Sequence, residues 1–128
     1  MNPLERRLTT GTIGELLVQM RLFQYGVQAA PPLKDSGNDL IAVRGSVFKS
    51  IQVKTTAQGN GTWQIPRDRL YHILALVRLH GHDNELFLDQ SEIYLLGRDI
   101  IDQGTYNLND LRDYCISKTI VDKLFAPE

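Results

Sequence analysis

NDLIAVRGSVFKSIQVKTT, the stretch from residue 38 to residue 56, decides the fold of this chain. Two apolar runs rich in β-branched residues flank Gly45-Ser46. Glycine at the first of two central positions is typical of a type II′ hairpin turn. The stretch therefore predicts two antiparallel strands, over residues 38–43 and 47–56, joined by a two-residue turn.

The turn also predicts which polar side chains of the hairpin meet. A two-residue turn places Asp39 directly opposite Gln52, and directly opposed side chains on one face have Cβ atoms about 5 Å apart. Lys54 follows Gln52 by two residues, so it lies on the same face. A three-residue bulged turn would shift the register by one residue and separate Asp39 from Gln52. The other face is apolar, with Leu40, Ala42, Ile51 and Val53.

Composition bounds the class of protein. The 128 residues suffice for one domain, predicted over residues 1–128, and 42% hydrophobic with 23% charged residues is ordinary for a globular protein. The single cysteine, Cys115, predicts a small apolar core residue without an internal disulfide. It also argues against zinc at His80-Gly81-His82-Asp83, which is better explained as a polar hairpin turn. A cytoplasmic location is expected, because the start has no signal core and no run is long enough to span a membrane.

Charge and periodicity complete the prediction. The net charge of −1 argues against a strongly basic protein that coats nucleic acid non-specifically.

The apolar spacing predicts an α/β fold in which helices cover a central mixed β-sheet. Before the hairpin, the predicted elements are a helix over 9–25 and a strand over 27–30. After it, residues 62–65 are predicted to pair with the end of the strand that carries Lys54, followed by a helical turn over 66–71 and strands over 73–79 and 85–88. The last predicted elements are a helix over 93–101, begun by Asp89 and Glu92, and a helix over 117–125.

Three short motifs resemble those of one nuclease superfamily. They are Gly11-Thr12-Ile13-Gly14-Glu15 in the first helix, Gly37-Asn38-Asp39 at a strand start, and Gln52-Val53-Lys54 in the next strand. In order and spacing they resemble the PD-(D/E)XK, restriction-endonuclease-like superfamily, and within it a small prokaryotic subgroup that is similar to homing endonucleases. The resemblance covers somewhat over a third of the chain. Asn38 stands where the family has proline, and Gln52 stands where it has an acid.

This resemblance implies a restriction-endonuclease-like core and Mg²⁺-dependent cleavage of DNA, with Mn²⁺ as a possible substitute. Asp39 is the implied central metal ligand, and Glu15, the amide oxygen of Gln52 and the backbone carbonyl of Val53 complete the set. Lys54 would orient the attacking water or stabilise developing negative charge. The alternative is a non-catalytic module of the same fold that binds nucleic acid or protein.

Partners follow from the same resemblance. DNA is the expected substrate, contacted by Lys34, Lys49, Trp63, Arg67 and Arg69, although Trp63 is equally compatible with a core position. A homodimer or larger even-numbered assembly is expected, because cutting both strands of a duplex needs two sites. The interface is predicted in the apolar C-terminal segment, with Leu111, Tyr114, Ile116, Ile120, Val121 and Phe125.

Each site residue also has a purely structural explanation. Thr12 and Glu15 fit a helix capping box, in which the glutamate bonds back to the first turn. Asp39 fits an ordinary turn or strand-entry aspartate. Gln52 and Lys54 fit solvated positions on a half-exposed strand. The combination of all four, rather than any one of them, favours a functional site.

Overall fold

The computed structural model describes residues 6–34, 39–57, 63, 65, 70–82, 85–103 and 111–127. Within these ranges a long helix precedes the strands and shorter helices follow them. The elements are α1 Arg6–Gln24, β1 Gln28–Ala30, β2 Leu40–Arg44, β3 Val47–Thr56, β4 Ile73–Arg78, β5 Gly81–His82, β6 Glu85–Leu86, β7 Glu92–Gly97, α2 Arg98–Gln103 and α3 Lys118–Leu124, with 3₁₀ turns at Leu88–Gln90 and Arg112–Tyr114.

Five of these strands form one mixed sheet in the order β1-β2-β3-β4-β7. β3 and β4 run parallel, whereas the other neighbouring pairs are antiparallel. β5 and β6 form a separate small hairpin. The predicted α/β fold, a central mixed sheet flanked by helices, is confirmed. No helix in the described ranges is long and apolar enough to cross a membrane.

Each face of the sheet has its own hydrophobic core. On the first face, strand residues such as Leu40, Ile51 and Val53 pack with α1 and α3. On the second face, Leu74, Leu76, Tyr94 and Leu96 pack with Tyr71, Ile101 and Leu111. Because β4 is buried on both faces, its sequence is a continuous apolar run rather than an alternating one.

α1 packs closely against the strand that carries the lysine motif. The helix buries Leu17, Val18 and Leu22, and Gly26 ends it with a positive φ of 81°. A Cβ atom on Gly14 would lie 1.9 Å from the Oγ1 atom of Thr55, so only glycine permits this approach of helix to strand. Glu15 is thereby brought beside β3.

The predicted hairpin register is confirmed. Arg44 pairs with Val47, and the ladder continues to Leu40 opposite Ile51. Gly45 has a positive φ of 61°, which a tight two-residue turn of this kind requires.

The predicted helix over residues 93–101 is wrong. Residues 92–97 form β7, which pairs antiparallel with β4, and a helix begins only at Arg98. Every residue from Ile93 to Gly97 is buried. A run buried on both faces has no alternation, so its pattern cannot distinguish a strand from a helix. Asp89 lies in a 3₁₀ turn instead of capping a helix.

The strand pairing predicted for residues 62–65 is also wrong at the two residues of this stretch that the structure describes. Trp63 and Ile65 are not in a strand, and β4 occupies the side of β3 from Ile51 to Thr56. Thr62 and Gln64 lie outside the described residues. The helical turn over 66–71 lies mostly outside them as well, and Leu70 and Tyr71 are not helical.

The apolar residues of the C-terminal segment, predicted to form an interface, pack in the core of the chain instead. Leu111, Ile116, Val121 and Phe125 are almost fully buried, and Tyr114 and Ile120 pack against the core. α3 itself was predicted correctly, with the Ser117 hydroxyl accepting from the backbone N–H of Ile120 at 3.2 Å. Cys115, predicted to be buried, is exposed. The segment's apolar residues serve the core because two sheet faces need covering.

Candidate functional site

The site begins where β3 extends beyond β2. Pairing with β2 ends at Ile51, whereas β3 continues to Thr56 with β4 on its other side. Asp39 lies at this step, and its N–H donates to the Ile51 carbonyl at 3.1 Å. Its Oδ2 atom accepts from the backbone N–H of Val53 at 2.8 Å and from Nε2 of Gln52 at 2.9 Å. The Asp39 carboxylate is therefore fixed against the open edge of β3, opposite Gln52 as the register predicted.

Gln52 is a buried amide with an unpaired oxygen. Gln52 is 3% exposed, yet its Oε1 has no hydrogen-bond partner among the residues that the structure describes. The bond from Nε2 to Asp39 fixes the amide orientation, since the reverse orientation would set oxygen against carboxylate. Most buried polar atoms are hydrogen-bonded, and an unsatisfied one costs about 1–3 kcal/mol. An unpaired oxygen acceptor beside a carboxylate suits a bound cation.

Glu15 is electrostatically coupled to Asp39. Burial, and then the Asp39 carboxylate, raise the pKa of Glu15 above its ordinary value. The capping-box explanation is wrong, because α1 begins at Arg6 and Glu15 lies well inside the helix rather than in its first turn. Holding two acids near one another in a partly buried place is unfavourable unless a positive charge joins them.

Lys54 lies on the same face of β3 as Gln52. In the parallel pairing, Gln52 is opposite Leu74 and Lys54 is opposite Leu76. The side chain is half-buried, and its ammonium makes no ion pair with any residue that the structure describes. The sheet thus brings a cationic group to the face that carries Gln52.

The donor set consists of oxygens. Across the described residues, no group of three His, Cys, Asp or Glu side chains is placed to hold a metal ion. The available donors are two carboxylates, from Asp39 and Glu15, the free amide oxygen of Gln52 and the carbonyl of Val53. Hard cations such as Mg²⁺ prefer oxygen ligands and retain several waters, so this smaller set fits Mg²⁺ or Mn²⁺. With Gln52 neutral, the site has one negative charge fewer than an all-acid version.

The predicted DNA contacts are not all at this site. Lys34 is exposed. Lys49 is half-buried, and strand alternation places it on the other face of β3 from Lys54. Trp63 belongs to the second core, where its indole N–H donates to the Val77 carbonyl at 3.2 Å and its ring meets Tyr94 edge-on at 6.2 Å. This packing is what the core explanation of Trp63 predicts.

Arg67 and Arg69, also predicted to contact DNA, lie outside the described residues. Arg44, from the same basic stretch of sequence, is paired with Asp122 at 2.7 Å.

A serine–histidine pair that sequence analysis did not identify lies on the same face of β3 as Gln52 and Lys54. Ser50 precedes Gln52 by two residues. Nδ1 of His72 lies 3.0 Å from the Ser50 hydroxyl and accepts a hydrogen bond from the Ser50 backbone N–H at 3.0 Å. Alternation along β3 could have identified Ser50. His72 could not be identified, because its position depends on the parallel pairing of β3 with β4.

A charged cluster lies further along β4 and β7. Burial opposes ionisation of Glu92, but hydrogen bonds from Arg78, Tyr94 and His80 lower the pKa of Glu92 to about 2. Burial and the same carboxylate raise the pKa of Tyr94 to about 12. The cluster ties the end of β4 to β7, and its carboxylate is bonded to all three partners, so it is structural.

Comparison with known proteins supports the fold. A scan against models of protein families finds no match, and no curated protein matches the sequence. Among solved structures, the chain is similar to the bacterial homing endonuclease I-Ssp6803I, with a TM-score of 0.55 and 16% sequence identity. The similarity covers 80% of this chain and 75% of that one. At this identity the likeness establishes a nuclease-like fold.

Proposed function

We propose that this protein is a metal-dependent endonuclease that hydrolyses phosphodiester bonds of DNA. The observation that carries the proposal is the buried Gln52 side chain. Its Nε2 donates to Asp39, whereas its Oε1 has no partner in the described part of the chain. The structural similarity to a homing endonuclease supports the class of reaction and the choice of DNA.

The side chains divide the work by their chemistry. Asp39, Glu15, Gln52 and the carbonyl of Val53 would hold Mg²⁺, which supplies charge stabilisation at the phosphate and a more acidic bound water. The backbone N–H of Val53 and the side-chain amide of Gln52 both donate to Oδ2 of Asp39, so the carboxylate is already oriented and its Oδ1 would need little reorganisation to act as a ligand.

Lys54 contributes a positive charge on the same face. Its ammonium would donate to the attacking water or to a phosphate oxygen as negative charge develops. A role as general base is disfavoured, because a lysine accepts a proton at neutral pH only after a large fall in its pKa.

The second candidate is a module that binds nucleic acid or protein without cutting. The neutral Gln52 favours it, because one carboxylate fewer weakens the attraction for a divalent cation. The presence of Lys54 on the same face of β3 as Gln52 favours the enzyme, because a pure binding module has little use for a lysine there.

Incubation with supercoiled plasmid DNA distinguishes the two. The parent protein should convert the plasmid to nicked or linear forms with Mg²⁺ or Mn²⁺, and EDTA should stop the conversion. Lys54→Ala should bind DNA and fold normally but lose cleavage, whereas the matched control Lys123→Ala, an exposed lysine on α3, should cut like the parent. A parent that binds but never cuts duplex, junction or single-stranded DNA supports the binding module, and equal cutting by Lys54→Ala refutes the assigned site.

A further inference from the structure

Ser50 and His72 are joined by hydrogen bonds in both directions. The backbone N–H of His72 donates to the Ser50 carbonyl at 3.1 Å and to the Ser50 Oγ at 3.2 Å. In return, Nδ1 of His72 accepts from the backbone N–H of Ser50 at 3.0 Å. β4 begins only at Ile73, so the imidazole supplies the acceptor for a β3 amide just before the parallel ladder starts. These bonds hold the ring in one orientation.

The bond from the backbone also decides which ring nitrogen carries the proton. An amide N–H can only donate, so Nδ1 of His72 is the acceptor. A neutral imidazole has one acceptor and one donor nitrogen, and its hydrogen is therefore on Nε2. The same bond argues against Ser50 as a nucleophile, because the lone pair that would remove the hydroxyl proton is already engaged by the N–H. His72 thus presents a neutral donor at Nε2.

This donor is available to a ligand on the face of the sheet that carries Gln52. His72 is exposed, and both bonds that its ring makes within the described part of the chain end at Nδ1. The neighbour of Ser50 on β2 is Ile41, which is 37% exposed, so the second core does not cover this part of the face.

The pair lies one strand repeat from the candidate metal ligands. On β3, Ser50 precedes Gln52 by two residues. His72 comes two residues before Leu74, which is the partner of Gln52 on β4. Two residues of a strand span about 7 Å. Neighbouring phosphates of a DNA strand are separated by a similar distance, so a strand with one phosphate at Asp39 and Gln52 brings the next one to His72.

We propose that His72 binds the phosphate next to the one that is cleaved, by donating from Nε2 to one of its oxygens. This contact rests on the proposed function, which places DNA at Asp39 and Gln52. Most hydrogen bonds between proteins and DNA go to phosphate and sugar, where they position the duplex without reading its sequence. His72 therefore anchors the strand and takes no part in the reaction itself.

Two substitutions separate the roles of the two ring nitrogens. The side-chain oxygen of asparagine reaches the position of Nδ1, so His72→Asn keeps an acceptor for the Ser50 N–H and removes the outer donor. The longer His72→Gln brings its amide near the position of Nε2, so it keeps the outer donor and gives up the inner acceptor. Thermal melting should show that His72→Asn is as stable as the parent, whereas His72→Gln is less stable.

DNA affinity should follow the outer nitrogen instead. Fluorescence anisotropy with a labelled duplex, without metal and at low salt, should show His72→Asn binding about tenfold more weakly than the parent, as expected for one lost hydrogen bond to a charged group. His72→Gln should bind nearly as the parent does. The loss should be equal on two duplexes of unrelated sequence, and the salt dependence of binding should stay unchanged because a neutral donor releases no counterion.

His82→Asn is the matched control. His82 is also exposed, but it follows β4 whereas His72 precedes it, so the two histidines lie at opposite ends of the strand. His82→Asn should bind DNA like the parent. Weakening equal to that of His72→Asn would show that the loss is not specific to the Ser50–His72 pair and would overturn the proposal.

Four further outcomes overturn the proposal. They are a parent that does not bind the duplex, a His72→Asn variant that binds as tightly as the parent, a His72→Gln variant that binds as weakly as His72→Asn, and a loss confined to one sequence. Because affinity is measured without metal, a parent that binds but does not cut refutes the proposed function and leaves the phosphate contact intact. If the parent cuts, His72→Asn should raise KM with kcat nearly unchanged, since the contacted phosphate does not react.

Discussion

Gly14→Ala tests how closely α1 is held against β3. A methyl group at this position would lie 1.9 Å from Oγ1 of Thr55 and 2.9 Å from its Cβ and Cγ2 atoms. Unbonded heavy atoms settle at about 3.5–4.0 Å, so the helix or the strand must move by on the order of 1 Å. Because Glu15 is the next residue, the same movement displaces its carboxyl group relative to Asp39.

The expected size follows from two opposing effects. Overpacking a tight contact costs about 1–3 kcal/mol, whereas alanine is about 1 kcal/mol better than glycine inside a helix. The free energy of unfolding should therefore fall by up to about 2 kcal/mol. Where catalysis depends on Glu15, a misplacement of about 1 Å should lower cleavage on the order of 100-fold.

Urea unfolding of the parent and two glycine variants measures this effect. Gly11→Ala is the matched control, because it lies on the same helix and a Cβ there has nothing within 4 Å. It should gain up to about 1 kcal/mol. Adding Thr55→Ala to Gly14→Ala should restore part of the loss, because it removes the closest atom. If Gly14→Ala is as stable as Gly11→Ala, the reasoning about the helix–strand contact is refuted.

Three further predictions concern charge. Since the pKa of Glu15 is raised, the folded state loses stability as pH rises through that pKa. At neutral pH the melting temperature of Glu15→Gln should therefore be higher than that of the metal-free parent, whereas below pH 4 the two should be equal. The same difference between variant and parent at both pH values would contradict this prediction. The pKa of Glu92, lowered to about 2 from 4.5, gives stability that is complete above about pH 4.5 and is lost as pH falls towards 2. Glu92→Gln should lower the free energy of unfolding in urea by about 2 kcal/mol at neutral pH and by much less at pH 2. An equal loss at both pH values would contradict the stabilising role of the Glu92 cluster. Gln52→Glu should tighten Mg²⁺ binding in calorimetry because it adds a negative ligand, and weaker binding would argue against Gln52 as a ligand.

The hairpin and the polar cluster were predictable because their determinants are local. Gly45-Ser46 fixes the turn, the turn fixes the register, and the register brings Asp39 to Gln52. Strand alternation then assigns Lys54 to the same face. None of these steps needs information about distant parts of the chain.

The errors arose where the tertiary structure decides. Residues 93–97 are buried on both faces, so their pattern carried no period, and only pairing with β4 makes them a strand. The C-terminal apolar residues were attributed to an interface because their packing against both faces of the sheet could not be foreseen from the sequence. Leu16, Met20 and Phe23 show a related limit, because periodicity identifies an apolar stripe on α1 without saying what covers it, and in the structure these side chains are exposed.

Manganese binding tests the central claim most directly. The claim is that Asp39, with Glu15 and Gln52, forms a divalent-cation site. Free Mn²⁺ followed by electron paramagnetic resonance, without DNA, should reveal one bound ion per chain in the parent. Asp39→Asn should weaken that binding at least about tenfold, whereas Glu85→Gln, which removes an exposed acid on β6, should leave it unchanged. Equal Mn²⁺ binding by the parent and Asp39→Asn would contradict the account.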